Sequence, residues 1–175
     1  MDNSLPDKTN IPLVPEPPLE DDSVGPTDDP PRLLYWAVRE DIESLLLGAG
    51  HAMGPLHDPA QGFMAEVGGV SYSAALVSPD PKRPGRFGGI QLSAFAPVPQ
   101  SLSLAVAAQL ALDLPGARLG IDKDGDLALM QTIVVAGGVT RANIDIQFGF
   151  WLQNLERVRR AVMRHFATGP AVVLH

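Results

Sequence analysis

An acidic stretch is the part of the sequence whose residue types and spacing come nearest to a metal site. Asp122–Asp126 reads DKDGD, and alternating carboxylates of this kind are typical of calcium loops. An EF-hand loop also requires glycine at its sixth position and glutamate at its twelfth, where this chain has Leu127 and Ile133. We therefore expect no metal here and interpret the stretch as a tight turn between two strands.

The other residues that could do chemistry are scattered. His51 and His57 share a loop, but a metal site normally requires three or four ligands. The glycine-rich stretch Gly85–Gly89 leads into a strand, whereas a phosphate-binding loop follows a strand and opens a helix. No serine lies in a G-x-S-x-G pattern, and the chain has no cysteine. The sequence therefore predicts no catalytic residue, no metal and no cofactor.

The spacing of apolar residues predicts an α+β fold. Helical spacing indicates helices at 31–48, at about 102–114, and from an N-cap at Thr140 to about 166. Alternating patterns indicate a mostly antiparallel sheet, packed with helices, whose five strands lie at 62–67, 70–77, 88–96, 117–122 and 126–136. The glycine pair Gly68–Gly69 predicts a hairpin turn, and the breaks in His51–Pro59 predict a loop. The predicted order is α-β-β-β-α-β-β-α.

Charge divides the chain into segments. Residues 1–31 contain eight acidic residues and a single lysine, which together equal the whole formal net charge of −7. The segment 1–30 is also rich in proline, so we predict a disordered acidic leader, with a single folded domain at 31–168 and a short C-terminal tail at 169–175. The nearly neutral body gives little support for nucleic-acid binding. No apolar run is long enough for membrane insertion, and the composition suits a cytoplasmic protein.

One face of the third predicted helix is unusual. Ile146 and Phe150 point away from its core stripe, and Arg157, Arg160 and Arg164 continue along the same side. One interpretation is that the helix lies between two layers and buries both faces. The other is that these five residues form a protein interface in which Phe150 is an aromatic anchor.

Two sequence stretches resemble a known family. They are LGIDKDGDLALMQTIVVAGGVTRANIDIQFGFWLQNLERV and ESLLLGAGHAMG, and the predicted order of elements over about 32–166 is similar to that of YbjN-type proteins and type III secretion chaperones. The resemblance implies a type III secretion chaperone-like fold. It also implies a role in sensory transduction or, as in the secretion chaperones, a small homodimer that holds a partly unfolded client.

We therefore expect a non-enzymatic protein-binding module, YbjN-like or chaperone-like, that forms a homodimer or binds a protein client. Two alternatives stay open. The chain could be a small-ligand binder or enzyme with a pocket under the 78–87 loop, using Arg83, Arg86, His51 or His57. It could instead be a structural subunit of a larger assembly that uses its acidic leader as a tether.

Overall fold

The computed structural model describes residues 31–58, 60–110 and 113–168, and for residues 100–103 and 165–168 it describes the backbone alone. The predicted leader at 1–30 and the predicted tail at 169–175 lie outside the described residues.

The described residues form an α+β fold, as predicted. The strands are β1 (Leu33–Leu34), β2 (Ala52–Pro55), β3 (Gly62–Val67), β4 (Val70–Pro79), β5 (Phe87–Ala96), β6 (Ala117–Ile121), β7 (Leu127–Val134) and β8 (Val139–Thr140). The helices are α1 (Arg39–Gly48), α2 (Gln100–Leu110) and α3 (Arg141–Thr168). Six strands form the main sheet in the order β2-β3-β4-β5-β7-β6, and β1 pairs with β8; every pairing is antiparallel.

The core lies on one face of the main sheet. In β4 the buried side chains of Tyr72, Ala74 and Leu76 alternate with more exposed neighbours, and β7 follows the same rule from Leu129 to Ile133. This period of two is what a sheet covered on one face requires. The helices supply the opposite half of the core.

The third helix matches its prediction most closely. Its apolar stripe is buried from Ile144 to Val158, and Trp151 at the centre has no exposed surface. The backbone N–H of Asn143 donates to the hydroxyl of Thr140 at 3.1 Å, so Thr140 is the N-cap that the sequence predicted. No helix within the described part of the chain is both long and apolar enough to cross a bilayer.

The predicted start of the first helix is wrong. The helix begins at Arg39 rather than at residue 31, because the preceding residues make strand-like pairs instead. Leu33 and Leu34 pair with β8, and the backbones of Ala37 and Phe87 exchange two hydrogen bonds of 2.8 and 3.1 Å. The carboxylate of Asp41 then accepts the free N–H of Val38 at 2.8 Å, which closes the first turn of α1.

The predicted strand count is also too low. Five strands were expected, and the described residues contain eight. Ala52–Pro55, predicted to be part of a loop, pairs with β3 as the edge strand β2. Gly54 and Pro55 favour the loop prediction, but an edge strand tolerates proline because one of its sides needs no donor. The other two missed strands are only two residues long, too short for alternation to reveal.

The hairpin between β3 and β4 confirms the predicted Gly68–Gly69 turn. Both glycines have positive φ, 57° and 76°, which is the conformation that a two-residue hairpin loop favours. At the end of the β3–β4 strand pair opposite the hairpin turn, the backbone of Gly62 approaches β4 very closely. A Cβ atom at this position would lie 2.0 Å from the carbonyl oxygen of Ala74.

Replacing Gly62 by alanine should therefore destabilise the protein by about 3 kcal/mol, since a backbone atom must move to make room. Gly120→Ala is the matched control, because a Cβ atom there meets nothing within 4 Å. It should change the free energy of unfolding by less than about 1 kcal/mol. Urea unfolding followed by circular dichroism measures both values, and equal stability of the two variants would contradict the close approach.

Candidate protein-binding site

The outer face of α3 carries an exposed apolar patch. Ile146 is 58% exposed and Phe150 is 40% exposed. A Cβ atom on Gly149, between them, would meet no other atom within 4 Å. The interpretation that α3 buries both faces within one chain is therefore wrong. The remaining interpretation, a protein interface, is compatible with this exposure but stays a prediction.

The three predicted interface arginines have different surroundings. The guanidinium of Arg157 donates to the carbonyl oxygen of Asp113, so this side chain ties α3 to the segment that follows α2. Arg160 donates to the Glu156 carboxylate at 2.5 Å. The Nε atom of Arg164 donates to the carbonyl oxygen of Arg160 at 3.3 Å. The basic strip predicted from the sequence therefore continues along α3, but Arg157 has an intrachain role.

Arg159 adds to this strip and was missed among the predicted interface residues. Its guanidinium makes two hydrogen bonds to Glu156, at 2.6 and 3.0 Å. The bonds from Arg159 and Arg160 lower the pKa of Glu156 to about 2, and the same carboxylate raises the pKa of Arg159. Between Ile146 and Arg164 the sequence contains four arginines and only one acidic residue. This part of α3 is therefore positively charged even after Glu156 is paired.

Beside this strip lies an apolar groove that sequence reasoning did not find. It has a volume of about 120 Å³ and opens between the C-terminal half of α3 and the ends of three strands. Phe95 and Met163 stand partly in solvent beside it, 54% and 58% exposed. Apart from Arg159, all the residues that line it are apolar: Val70, Ala94, Phe95, Ala96, Leu127, Leu129, Leu155, Val158, Val162 and Met163.

Small side chains explain why the groove exists. Along the core face of β5, Ile90 and Leu92 are fully buried, but the next two positions on that face are Ala94 and Ala96. The α3 stripe continues across these alanines with large residues. An alanine fills much less space than leucine, so the layers do not close there. The signal was present as a change from large to small residues along one strand, but its meaning depends on the helix that lies opposite.

Two buried polar side chains hold α3 in position. The Nε2 atom of Gln131, in β7, donates to the carbonyl oxygen of Gln147 at 2.7 Å. Asn154, fully buried on α3, donates through Nδ2 to the carbonyl oxygen of Pro115 at 2.9 Å. Buried amides are retained where they are hydrogen-bonded. Together with the bond of Arg157, these contacts set the position of the helix that carries the exposed patch and lines the groove.

The residues of the small-ligand alternative have separate surroundings. His51 is buried, and its Nδ1 atom lies 2.6 Å from the hydroxyl oxygen of Tyr72. His57 is exposed in the loop after β2. Arg83 lies over the ring of Trp36, 5.4 Å from its centre, and Arg86 is exposed in the same loop. Within the described ranges, no three His, Cys, Asp or Glu side chains are placed to hold a metal ion.

The acidic stretch forms the turn that the sequence predicted. The carboxylate of Asp122 accepts the backbone N–H groups of Asp124 and Asp126, each at 2.9 Å. Gly125 has a positive φ of 89°, which suits glycine at the tight point between β6 and β7. The Asp122 carboxylate therefore stabilises the connection between these two strands.

The His51–Tyr72 pair should make the stability of the protein depend on pH. Burial lowers the pKa of His51 from 6.5, so the unfolded chain takes up a proton at a higher pH than the folded chain. Stability should be at its full value above pH 6.5 and should fall as the pH decreases below it. Thermal unfolding across this range measures the effect. His51→Gln should make stability depend less steeply on pH. His57→Gln is the control at an exposed histidine and should show the same pH dependence as the wild type.

Tyr72→Phe tests the same pair by another route. The variant leaves the ring of residue 72 packed on Trp151, whose centre lies 5.6 Å away, but removes the partner of His51 Nδ1. It should cost about 1 to 2 kcal/mol of unfolding free energy at neutral pH, because a buried polar atom loses its hydrogen bond. Denaturant unfolding measures this loss. Wild-type stability in Tyr72→Phe would show that the pair contributes nothing.

Comparison with known proteins agrees with the resemblance found in the sequence. Residues 92–164 match the family model of YbjN, described as "Putative bacterial sensory transduction regulator". The match begins within β5 and extends through most of α3, which is less than half of the chain, and it confirms the YbjN-like character of that part. No curated protein matches the chain.

Two solved structures are similar to this chain. The crystal structure of YbjN from E. coli has 20% sequence identity to this chain and a TM-score of 0.46. The match covers 73% of this chain and 90% of the YbjN chain. A chain in the structure of the HopA1–SchA chaperone–effector complex has 17% sequence identity to this chain and a TM-score of 0.42. The match covers 69% of this chain and 91% of that one.

Proposed function

We propose that this protein is a non-enzymatic protein-binding module that acts in the cytoplasm, as a YbjN-like regulator or as a chaperone-like binder of a client. The observation that carries this proposal is the exposed apolar surface on both sides of α3. Ile146 and Phe150 form one part of it, and the groove beside Met163 forms the other. The YbjN match over residues 92–164 includes Ile146, Phe150 and every groove-lining residue except Val70, and it supports a regulatory role.

The energetics favour binding at this surface. Burying a phenylalanine or methionine side chain contributes about 1.5 to 3 kcal/mol, and here such side chains lie beside arginines. Aromatic residues and arginine are enriched where protein interfaces have their strongest contacts. A partner that covers Ile146 and Phe150 would remove apolar area from water at little cost in ordering, since both side chains project from a rigid helix.

A second copy of the chain is the first partner that we propose. The double variant Ile146→Ser and Phe150→Ser should convert a dimer of the wild type into a monomer, measured by size-exclusion chromatography with light scattering. The fold should persist because both side chains are exposed. Leu47→Ser, on the exposed side of α1, is the control and should keep the wild-type mass. A monomeric wild type, or a dimeric double variant, would contradict self-association through this patch.

A separate experiment tests client binding. The full chain and the same two variants serve as baits in a lysate of the source organism, with quantitative mass spectrometry of the bound proteins. We expect at least one protein to be retained by the wild type and by Leu47→Ser and to be depleted roughly tenfold on the double variant, because loss of two buried apolar contacts weakens binding by about that factor or more. A set of bound proteins that is identical for all three baits would contradict a client at this patch.

A further inference from the structure

The groove beside α3 has a chemistry that selects among protein partners. Its lining is apolar apart from Arg159, with Ala96 of β5 and Val162 of α3 among the lining residues, and its Phe95 and Met163 side chains are exposed to solvent. Its volume of about 120 Å³ is slightly less than that of an engineered apolar cavity that binds benzene. The space therefore suits a single large apolar side chain rather than a whole helix.

The charges beside the opening are arginines. Arg159 lines the groove itself, and Arg159, Arg160 and Met163 surround an adjoining depression on the same part of α3 together with Arg164. Glu156 accepts hydrogen bonds from both Arg159 and Arg160. Each guanidinium has five N–H donors, more than a shared carboxylate can satisfy. An excess of positive charge therefore lies within one or two helical turns of the apolar opening.

We infer that the groove binds a peptide segment with a large apolar anchor residue flanked by aspartate or glutamate. The anchor enters between α3 and β5, where Ala94 and Ala96 leave room, and the flanking carboxylates contact Arg159 and Arg160. This inference rests on the proposed protein-binding function and names the chemistry of the partner. Charge complementarity makes an acidic segment the preferred occupant, because a basic one would place like charges together on α3.

The inference can be tested by fluorescence anisotropy with labelled peptides and the full chain. The probe has a central leucine between pairs of glutamates in a Gly/Ser background. Two matched peptides replace the glutamates by lysines or the leucine by serine. We expect the acidic leucine peptide to bind, and each matched peptide to bind at least roughly tenfold more weakly, because one loses the charge attraction and the other loses the buried anchor. Binding of the acidic peptide should also weaken as salt is raised.

Variants of the protein locate the contact. Ala96→Leu fills the groove and should weaken the acidic peptide about tenfold while the melting temperature stays the same or rises, since apolar area is buried. Arg159→Gln with Arg160→Gln should weaken it roughly fivefold and flatten the salt dependence. Arg32→Gln with Arg86→Gln is the control. It removes the same charge at two exposed positions, Arg86 being near the opposite end of β5, and should bind as the wild type does.

Several outcomes would overturn the inference. Equal binding of the lysine and glutamate peptides would remove the acidic preference, and unchanged binding by a folded Ala96→Leu variant would place the anchor elsewhere. Much tighter binding by a chain that ends at Thr168 would assign the groove to residues 169–175. Conversion of a dimer to a monomer by Ala96→Leu would assign it to a second copy. Absence of peptide binding, with association through Phe150 intact, would reject this inference and leave the proposed function standing.

Discussion

The packing of α3 against one face of the sheet is the interaction on which the rest of this structure depends. Trp151 lies at its centre, with Phe148 and Leu155 on the adjacent turns, all buried. Truncating a buried aromatic side chain of this size to alanine typically lowers the free energy of unfolding by about 3 to 5 kcal/mol. The ion pairs of Glu156 with Arg159 and Arg160 lie on the solvent-exposed face of the same helix, where water and salt screen them, so they add little to stability. Apolar burial therefore contributes most of the free energy that holds α3 on the sheet, and the ion pairs on its outer face contribute little.

The direction of α3 follows from polar contacts as well as from apolar ones. Apolar packing tolerates small rotations and shifts, whereas a hydrogen bond from a buried amide has a narrow geometry. Gln131 of β7 contacts the helix near its beginning, at Gln147, and Asn154 near the middle of the helix contacts the chain just before β6. Because a helix is rigid, these contacts also determine which residues face outward. The exposure of Ile146 and Phe150 is thus a consequence of how the inner face is held.

Local patterns predicted most of the fold correctly. The long helix, its Thr140 cap, the Gly68–Gly69 hairpin and five of the strands are each encoded by residues close together in the sequence, so spacing reveals them. The errors have a different origin. Residues 31–38 were predicted to be helical because their apolar spacing fits a helix. Instead, Leu33–Leu34 and Ala37 pair through the backbone with residues far along the chain. Such distant partners override local preference, and single-sequence spacing contains no information about them.

The candidate surface was predicted only in part, for the same reason. The outward direction of Ile146 and Phe150 follows from helical geometry alone, so the sequence could place them. The groove requires knowledge that Ala94 and Ala96 of β5 lie opposite Leu155, Val158 and Val162 of α3, residues about sixty positions apart in the chain. A change from large to small side chains on one strand is informative only when the opposing element is known, because the same alanines beneath a helix with bulkier residues would form closed core. The apolar groove beside α3 is therefore a property of the pairing between two elements, and of neither element by itself.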